Sequence, residues 1–462
     1  MSVLGSEQNP LKVAIVGAGP SGFYAAEALI KSEHVVRVDM LERLPAPFGL
    51  VRYGVAPDHP KLKGPIRIYE RIAREPEFRF LGNVTVGRDV AVQELREAYH
   101  AVVFACGAES DRRLGIPGED LPGSHTATEF VGWYNGHPDY HDRRFDLSHE
   151  VAVIIGQGNV AVDVCRILAK TVDELKQTDI CEHAIDCLAT SRIREIHVVG
   201  RRGPAQAKFT SKELRELGEL ADCDPAVDPA ELELNPESLS EIADKRGSVA
   251  RKNVEILHGF TSRPGRGSRR RIILRFLLSP VQLKGEGRLE EVIFERNRLE
   301  GQPFQQKAVG TGERVGMACG LLFRSIGYQG IPLPGVPFDV RRGIFPTRDG
   351  RIVDESGAVI PGLYATGWIK RGPTGLIGTN RADSVATVKS LLADLPALDS
   401  GAKPGADGLN VLRAGDGPRV VSYSDWLVID QAEIRRGAAK GKPREKFTRV
   451  EEMLRLLDGR SQ

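Results

Sequence analysis

Two apolar runs in this chain break into a glycine turn and then into helix-patterned text: VAIVGAGPSGFYAAEALI from Val13 and VAVIIGQGNVAVDVCRIL from Val151. A run that is apolar at every position suits a parallel strand covered on both faces, not a half-exposed hairpin strand. A strand that ends in glycines and opens a helix is the start of a nucleotide-binding βαβ unit. One such unit confines a chain to open, doubly wound α/β folds, and this chain carries two. With 462 residues there is ample material for two such domains.

In the first unit Gly17, Gly19 and Gly22 make a full G-x-G-x-x-G. Gly17 permits the tight turn, Gly19 lets backbone approach a pyrophosphate, and Gly22 allows close helix–sheet packing. The helix beyond offers free N–H groups and the positive end of its dipole to phosphates. The next strand, VVRVDMLE, ends at Glu42, where a carboxylate accepts from ribose hydroxyls.

The second unit has Gly156 and Gly158, with Ala161 in place of the third glycine. Its partner strand arrives late, because TVDELKQTDICEHAIDCLATSR lengthens the helical segment between them. That strand reads HVVGRRG, so Arg201 and Arg202 stand where the first unit has a carboxylate. A carboxylate repels a ribose 2′-phosphate, whereas guanidinium groups give it permanent charge and planar donors. The pair therefore reads as an NADP clamp. Glu213, on the helical SKELRELGEL, is placed to orient an arginine or to touch the adenosine ribose. Two cradles in one chain, the second selective for NADP, imply a flavin at the first and NADPH at the second.

The strand GLYATG near residue 365 leads into another glycine turn and a long helix. The economical architecture is α/β, with two doubly wound dinucleotide-binding domains, the second inserted into the first. Residues 1–108 and 326–462 are read as the FAD domain, the latter with a C-terminal extension, and 109–325 as the NADP domain. The region from about 222 to 310 is more polar and richer in charge, and RPGRGSRRRIILRFLLSPVQL within it reads as strands and turns.

These blocks resemble the adrenodoxin-reductase-type ferredoxin–NADP reductases, with actinobacterial homologues among them. The resemblance rests on VGAGPSGFYAAEAL, PAPFGLVRYGVAPDHPKLK, GNVTVGRDV, IIGQGNVAVDVCRIL, VVGRRGPAQAKFTSKELREL and GLYATGWIKRGPTGLIGTNRADS. The tail WLVIDQAEIRRGAAKGKPREKF resembles the end of family members as well. The resemblance implies that Ser21, Glu42, Leu50, Val86, Trp368, Gly375, Leu376 and Ile377 hold FAD. It implies that Gln157, Gly158, Asn159, Val160, Arg201, Arg202 and Glu213 hold NADP(H), with Gly375 near the nicotinamide. His59 matches a histidine close to the flavin, Asp163 its hydrogen-bond partner across the domain boundary, and Glu216 a residue implicated in nicotinamide handling. The implied activity is hydride uptake from NADPH and one-electron delivery to a ferredoxin-type iron–sulfur protein. Lys245, Arg246, Arg251 and Lys252 correspond to the family's docking face for that acidic carrier.

Bulk properties narrow the alternatives. A net charge of +2 offers no global attraction to nucleic acid. No apolar run reaches the ~18 residues of a membrane span, and no targeting segment is evident at the start, so a cytoplasmic location is expected. The six cysteines include no Cys-x-x-Cys, which argues against a disulfide reductase and against zinc or cluster ligation. A flavin monooxygenase, a diaphorase-like flavoprotein and a non-catalytic NADP sensor remain open. The sensor predicts nucleotide binding without bleaching of a yellow cofactor.

Overall fold

The computed structural model describes residues 3–263, 265–413 and 417–459. Its framework is two separate sheets. In the outer one, strand Leu11–Val16 lies between Val36–Glu42 and Ala101–Phe104, with Phe78–Gly82 and Val359–Ala365 outside them, all five parallel. Short antiparallel strands Thr347–Arg348 and Arg351–Val353 extend one edge. The first and last glycine-turn units thus share one sheet, two strands apart.

The inner sheet has six parallel strands: Ser124–Thr126, Leu321–Arg324, Val151–Ile155, Glu195–Val199, Arg270–Arg275 and Cys223–Val227, in that spatial order. Ser110–Asp111 and Tyr328–Gln329 pair antiparallel where the chain leaves the outer sheet and returns to it. Both sheets are α/β and doubly wound, as the sequence implies.

The unbroken apolar runs follow from what covers each face. Val13 and Ile15 point into one apolar cluster of the outer lobe, Ala14 and Val16 into another. In the inner sheet Ala152 and Ile154 face helices. Val153 and Ile155 instead meet Leu278, Leu283, Val292 and Phe294. Those residues come from a three-stranded antiparallel sheet, Leu278–Lys284, Glu291–Glu300 and Lys307–Ala318. One face of the inserted lobe is therefore roofed by strands where helices are the usual cover. The segment 263–283, read as strands and turns, supplies strands Arg270–Arg275 and Leu278–Lys284, while the polar stretch before it folds as helices Pro236–Ala243 and Ser248–Thr261. Their charged text hides an inward stripe, with Val254, Leu257 and Phe260 buried at helical spacing.

The lengthened segment of the second unit becomes two short helices, Val172–Lys176 and Glu182–Ala189. Near the C-terminus, helix Tyr423–Ala438 and helix Val450–Asp458 pack on the outer lobe through Trp426, Ile429, Met453 and Leu457.

Candidate active site

The first glycine loop is shaped by collisions that only glycine avoids. Gly17 has φ +106°, and a Cβ there would sit 2.7 Å from the Ala105 carbonyl oxygen. A Cβ on Gly22 would lie 2.1 Å from the Gly17 oxygen. Gly19 differs, because a Cβ there would meet no protein atom within 4 Å. Backbone thus borders open space just where helix Pro20–Ile30 begins, and no side chain caps that helix. The loop leaves room and N–H donors for a pyrophosphate.

Around this opening several expected residues converge. Glu42 Oε2 accepts from the Ala18 N–H at 2.9 Å and Oε1 from the Leu44 N–H at 3.1 Å. Burial pushes its carboxyl up, against the pull of those two amides and Arg43. Gly49 approaches Gly19 closely enough that its Cβ would lie 3.0 Å from the Gly19 Cα, which sets Leu50, 45% exposed, beside the loop. Gly367 stands against Ser21 in the same way, and Ser21 Oγ donates to Asn380 Oδ1 at 3.2 Å. Val86 packs in the cluster of Val16 and Leu41, at the ends of the strands that feed the cradle. Trp368 stacks on Tyr328 at 5.7 Å and donates its indole N–H to the Thr374 oxygen at 3.2 Å. This bond ties Trp368 to the turn of Gly375 (φ +83°) and Leu376, which is 64% exposed, ahead of helix Ile377–Ala393.

The second loop repeats the plan. Gly156 has φ +126°, its Cβ would fall 2.1 Å from the Ser325 oxygen, and Gly158 again faces open space. Helix Asn159–Ala169 starts with no side-chain cap. Gln157 donates to the Arg275 oxygen at 2.8 Å, and Asn159 Oδ1 accepts from the Thr210 N–H at 2.8 Å, so the loop is bound to its neighbours. Val160 packs against the inserted core. Arg201 is exposed and Arg202 half-buried. Burial first, and Arg201 second, push the Arg202 guanidinium down from its ordinary value. Such a pair is stabilised by an anion. Arg202 also lines a cleft of about 240 Å³ shared with Lys208, Phe209, Val249 and Phe304. Arg246 borders the same cleft, its guanidinium 4.2 Å from the Phe304 ring centroid and 3.1 Å from Asp244. It is exposed like Lys245, Arg251 and Lys252, but it alone of the four lines that cleft.

His59 lies on the seam between the lobes, and its partner is not the expected one. Its Nε2 is 2.8 Å from Glu216 Oε2, whereas Nδ1 stands 3.6 Å from Glu213 and 4.0 Å from Asp163. Asp163 is turned instead to Arg166, one helical turn on, at 2.6 Å. Burial raises the Asp163 carboxyl to about 6 despite that arginine. Glu213 also serves Arg166, at 2.6 Å, so the arginine it orients is this one. Arg166 reaches across the seam to Asp58 at 2.9 Å, where Lys170 joins at 3.1 Å. Burial alone would raise Asp58, but the bonds from Arg166 outweigh it and hold the carboxyl well below its ordinary value. Ligand atoms of His59, Glu213 and Glu216 lie within 4.8 Å of one another, and Arg166 already occupies Glu213 Oε2. Arg166 and Asp58 went unpredicted. The available signal was an arginine between Cys165 and Ile167, one helical turn after Asp163, in mostly apolar helical text.

The comparisons with known proteins agree with this architecture. Residues 11–198 match the family described as pyridine nucleotide-disulphide oxidoreductase. The chain is 46% identical over 456 residues to the NADPH-ferredoxin reductase FprA of Mycobacterium leprae, covering 97% of this chain and 98% of that one. It is 46% identical over 464 residues to the mitochondrial NADPH:adrenodoxin oxidoreductase of Bos taurus, covering 98% and 92%. The solved structure of Mycobacterium tuberculosis FprA in complex with NADPH is similar at a TM-score of 0.91 and 45% identity, over 97% of this chain and 99% of that one. With such identity along almost its whole length, the chain belongs to the family of NADPH-ferredoxin and NADPH:adrenodoxin oxidoreductases.

Proposed function

We propose that this protein is an FAD-dependent reductase that takes hydride from NADPH and passes electrons singly to a ferredoxin- or adrenodoxin-type iron–sulfur protein. The observation that carries the reading is the pair of open glycine cradles on two sheets of one chain, with a carboxylate at one strand end and two arginines at the other. The residues present fit both nucleotides. Gly17, Gly19 and Gly22 with Ser21, Glu42, Leu50, Val86, Trp368 and Gly375–Ile377 would hold FAD. Gln157–Val160, Arg201 and Arg202 would hold NADP(H), with Glu213 acting through Arg166. When bound, FAD supplies two-electron uptake with one-electron release, and NADPH supplies the hydride.

The chain's own part is positioning. Glu42 accepts ribose hydroxyls while its amide bonds keep its carboxyl fixed. Arg201 and Arg202 neutralise the 2′-phosphate. His59, held by Glu216, and Asp163, held by Arg166, sit where the lobes meet. Hydride transfer needs no acid, so their role is to fix the local field and the register of the lobes. The outer lobe comprises 1–108 and 326–462, the inserted one 109–325.

Exposed Lys245, Arg251 and Lys252 supply the docking face for an acidic carrier, with Arg246 shared between that face and the nucleotide cleft. Among the described residues no helix is long and apolar enough to cross a membrane.

Stopped-flow mixing of FAD-loaded protein with NADPH or NADH tests the function. Bleaching of the yellow cofactor, faster with NADPH, followed by turnover with added ferredoxin is the expected result. Nucleotide binding without bleaching would overturn it. Arg251→Glu with Lys252→Glu should raise the KM for ferredoxin and leave bleaching by NADPH unchanged; an unaltered KM would remove these residues from the docking face.

A further inference from the structure

Two features of the sequence have no part in the cradles: the insertion 171–192 and the tail beyond residue 439. The fold brings them together. Helix Tyr423–Ala438 belongs to the outer lobe, but the chain then turns back and crosses to the inserted one. Fully buried Glu433 organises the turn, accepting from Arg52 at 2.6 Å, from Arg444 at 2.8 Å and from the Phe447 N–H at 3.0 Å. Backbone crosses backbone there, since a Cβ on Gly437 would sit 2.5 Å from Arg444.

Beyond this turn the segment grips the insertion. Lys442 donates to the Ile180 oxygen and pairs with Glu445 at 2.6 Å. Glu445 accepts from the Glu182 N–H at 3.1 Å. Lys446, 2% exposed, lies 3.2 Å from Asp179, which also takes Lys63 of the outer lobe at 2.6 Å. Arg449 reaches Asp142 at 2.6 Å. Burial first, and Lys446 next, push the Lys63 ammonium down to about 8, so two cations crowd one carboxylate.

Buried ion pairs contribute little net stability compared with apolar packing, and a well-attested use of them is to fix register. The register at stake here is specific. The gripped insertion joins the end of helix Asn159–Ala169 to strand Glu195–Val199. The start of that helix is the phosphate cradle, and the strand runs into Arg201 and Arg202. A shift of the insertion therefore moves both ends of the nucleotide site relative to the outer lobe.

We propose that Lys446, with the segment 440–449 that carries it, is a positioning element for hydride transfer: it straps the insertion at Asp179–Glu182 to the outer lobe and so fixes the reach between the two cradles. This inference rests on the two-cofactor reading above. Misplacement by about 1 Å far from the chemistry can cost up to about a hundredfold in rate. Lys446→Met in the FAD-loaded protein should keep its flavin and its NADP⁺ affinity within about twofold, yet slow NADPH-dependent bleaching by about tenfold or more. Lys446→Arg should restore most of the rate, and Asp179→Asn should reproduce the loss without adding to it. Should the buried variants fail to fold, Arg449→Ala at the exposed end of the strap should slow bleaching by about twofold to threefold. Wild-type protein that NADPH cannot bleach refutes the proposed function itself. Wild type that bleaches while Lys446→Met, or Arg449→Ala in its place, matches its rate refutes the strap alone.

Discussion

The two glycine cradles share a plan, and two of their differences bear on what each can hold. In the first, the third glycine is forced, since any Cβ on Gly22 would strike the Gly17 oxygen at 2.1 Å. In the second, fully buried Ala161 occupies the same place. The strand ends differ as well, Glu42 in one and Arg201–Arg202 in the other. The backbone plan is thus the same in either lobe, while helix–loop clearance and strand-end charge differ, and on the proposed function those differences separate the two nucleotides. One fold element is thus carried by two different sets of side chains.

Each difference can be tested by exchanging it. The largest effect belongs to Gly22→Ala, which should destabilise the outer lobe by about 3 kcal/mol and yield colourless protein. A yellow, stable variant would show that the loop relaxes to the geometry of its counterpart. Next comes Arg201→Ala with Arg202→Ala. The preference for NADPH over NADH, read as the ratio of kcat/KM values, should fall by about two orders of magnitude with flavin content intact. An unchanged ratio would place the 2′-phosphate elsewhere. Glu42→Gln should weaken FAD about tenfold and leave NADP⁺ titration unaltered. Ala161→Gly, which makes the second loop formally complete, should gain nothing and cost about 1 kcal/mol in thermal melts through lost helix propensity.

The smallest effect concerns pH and the seam. Asp58 and Asp179 are both held below their ordinary value of 3.8: burial raises each, but Arg166 and the two lysines respectively win. Their contribution is full above that value and disappears as pH falls from it toward the folded values, because the unfolded chain binds those protons first. Asp163 works in the opposite sense. Raised to about 6, it favours the folded state below 3.8 and loses that contribution as pH rises from 3.8 to 6. Asp163→Asn should therefore flatten the melting temperature between pH 4 and 6, and Asp58→Asn should flatten it below 4. Melting curves parallel to wild type would take these carboxylates out of the seam's energetics.

Both cradles were legible in the sequence because they are local: glycines, apolar strand and strand-end charge fall within a few dozen residues. So was the sharing of one sheet by the first and last glycine units. The seam was not legible in detail. His59 and Glu216 are 157 residues apart, and which of three carboxylates meets the imidazole is decided by how the lobes dock. Arg166 escaped notice because it sits in mostly apolar helical text, and a buried guanidinium is intelligible only once Asp58, Asp163 and Glu213 surround it. The roof of the inserted sheet escaped as well. Its strand Lys307–Ala318 is largely exposed and polar, so it lacks the apolar alternation that marks a covering layer.

The paired crossing at Ser110–Asp111 and Tyr328–Gln329 has a practical corollary. Arg112 donates its N–H to the Gly327 oxygen at 3.0 Å, so the chain departs and comes home through adjacent doorways. Cutting out everything between them would leave two stubs already aligned as the arms of a hairpin, which a two-residue Asn-Gly turn can rejoin. The inserted lobe is in this sense a cassette, removable without tearing a strand from the outer sheet.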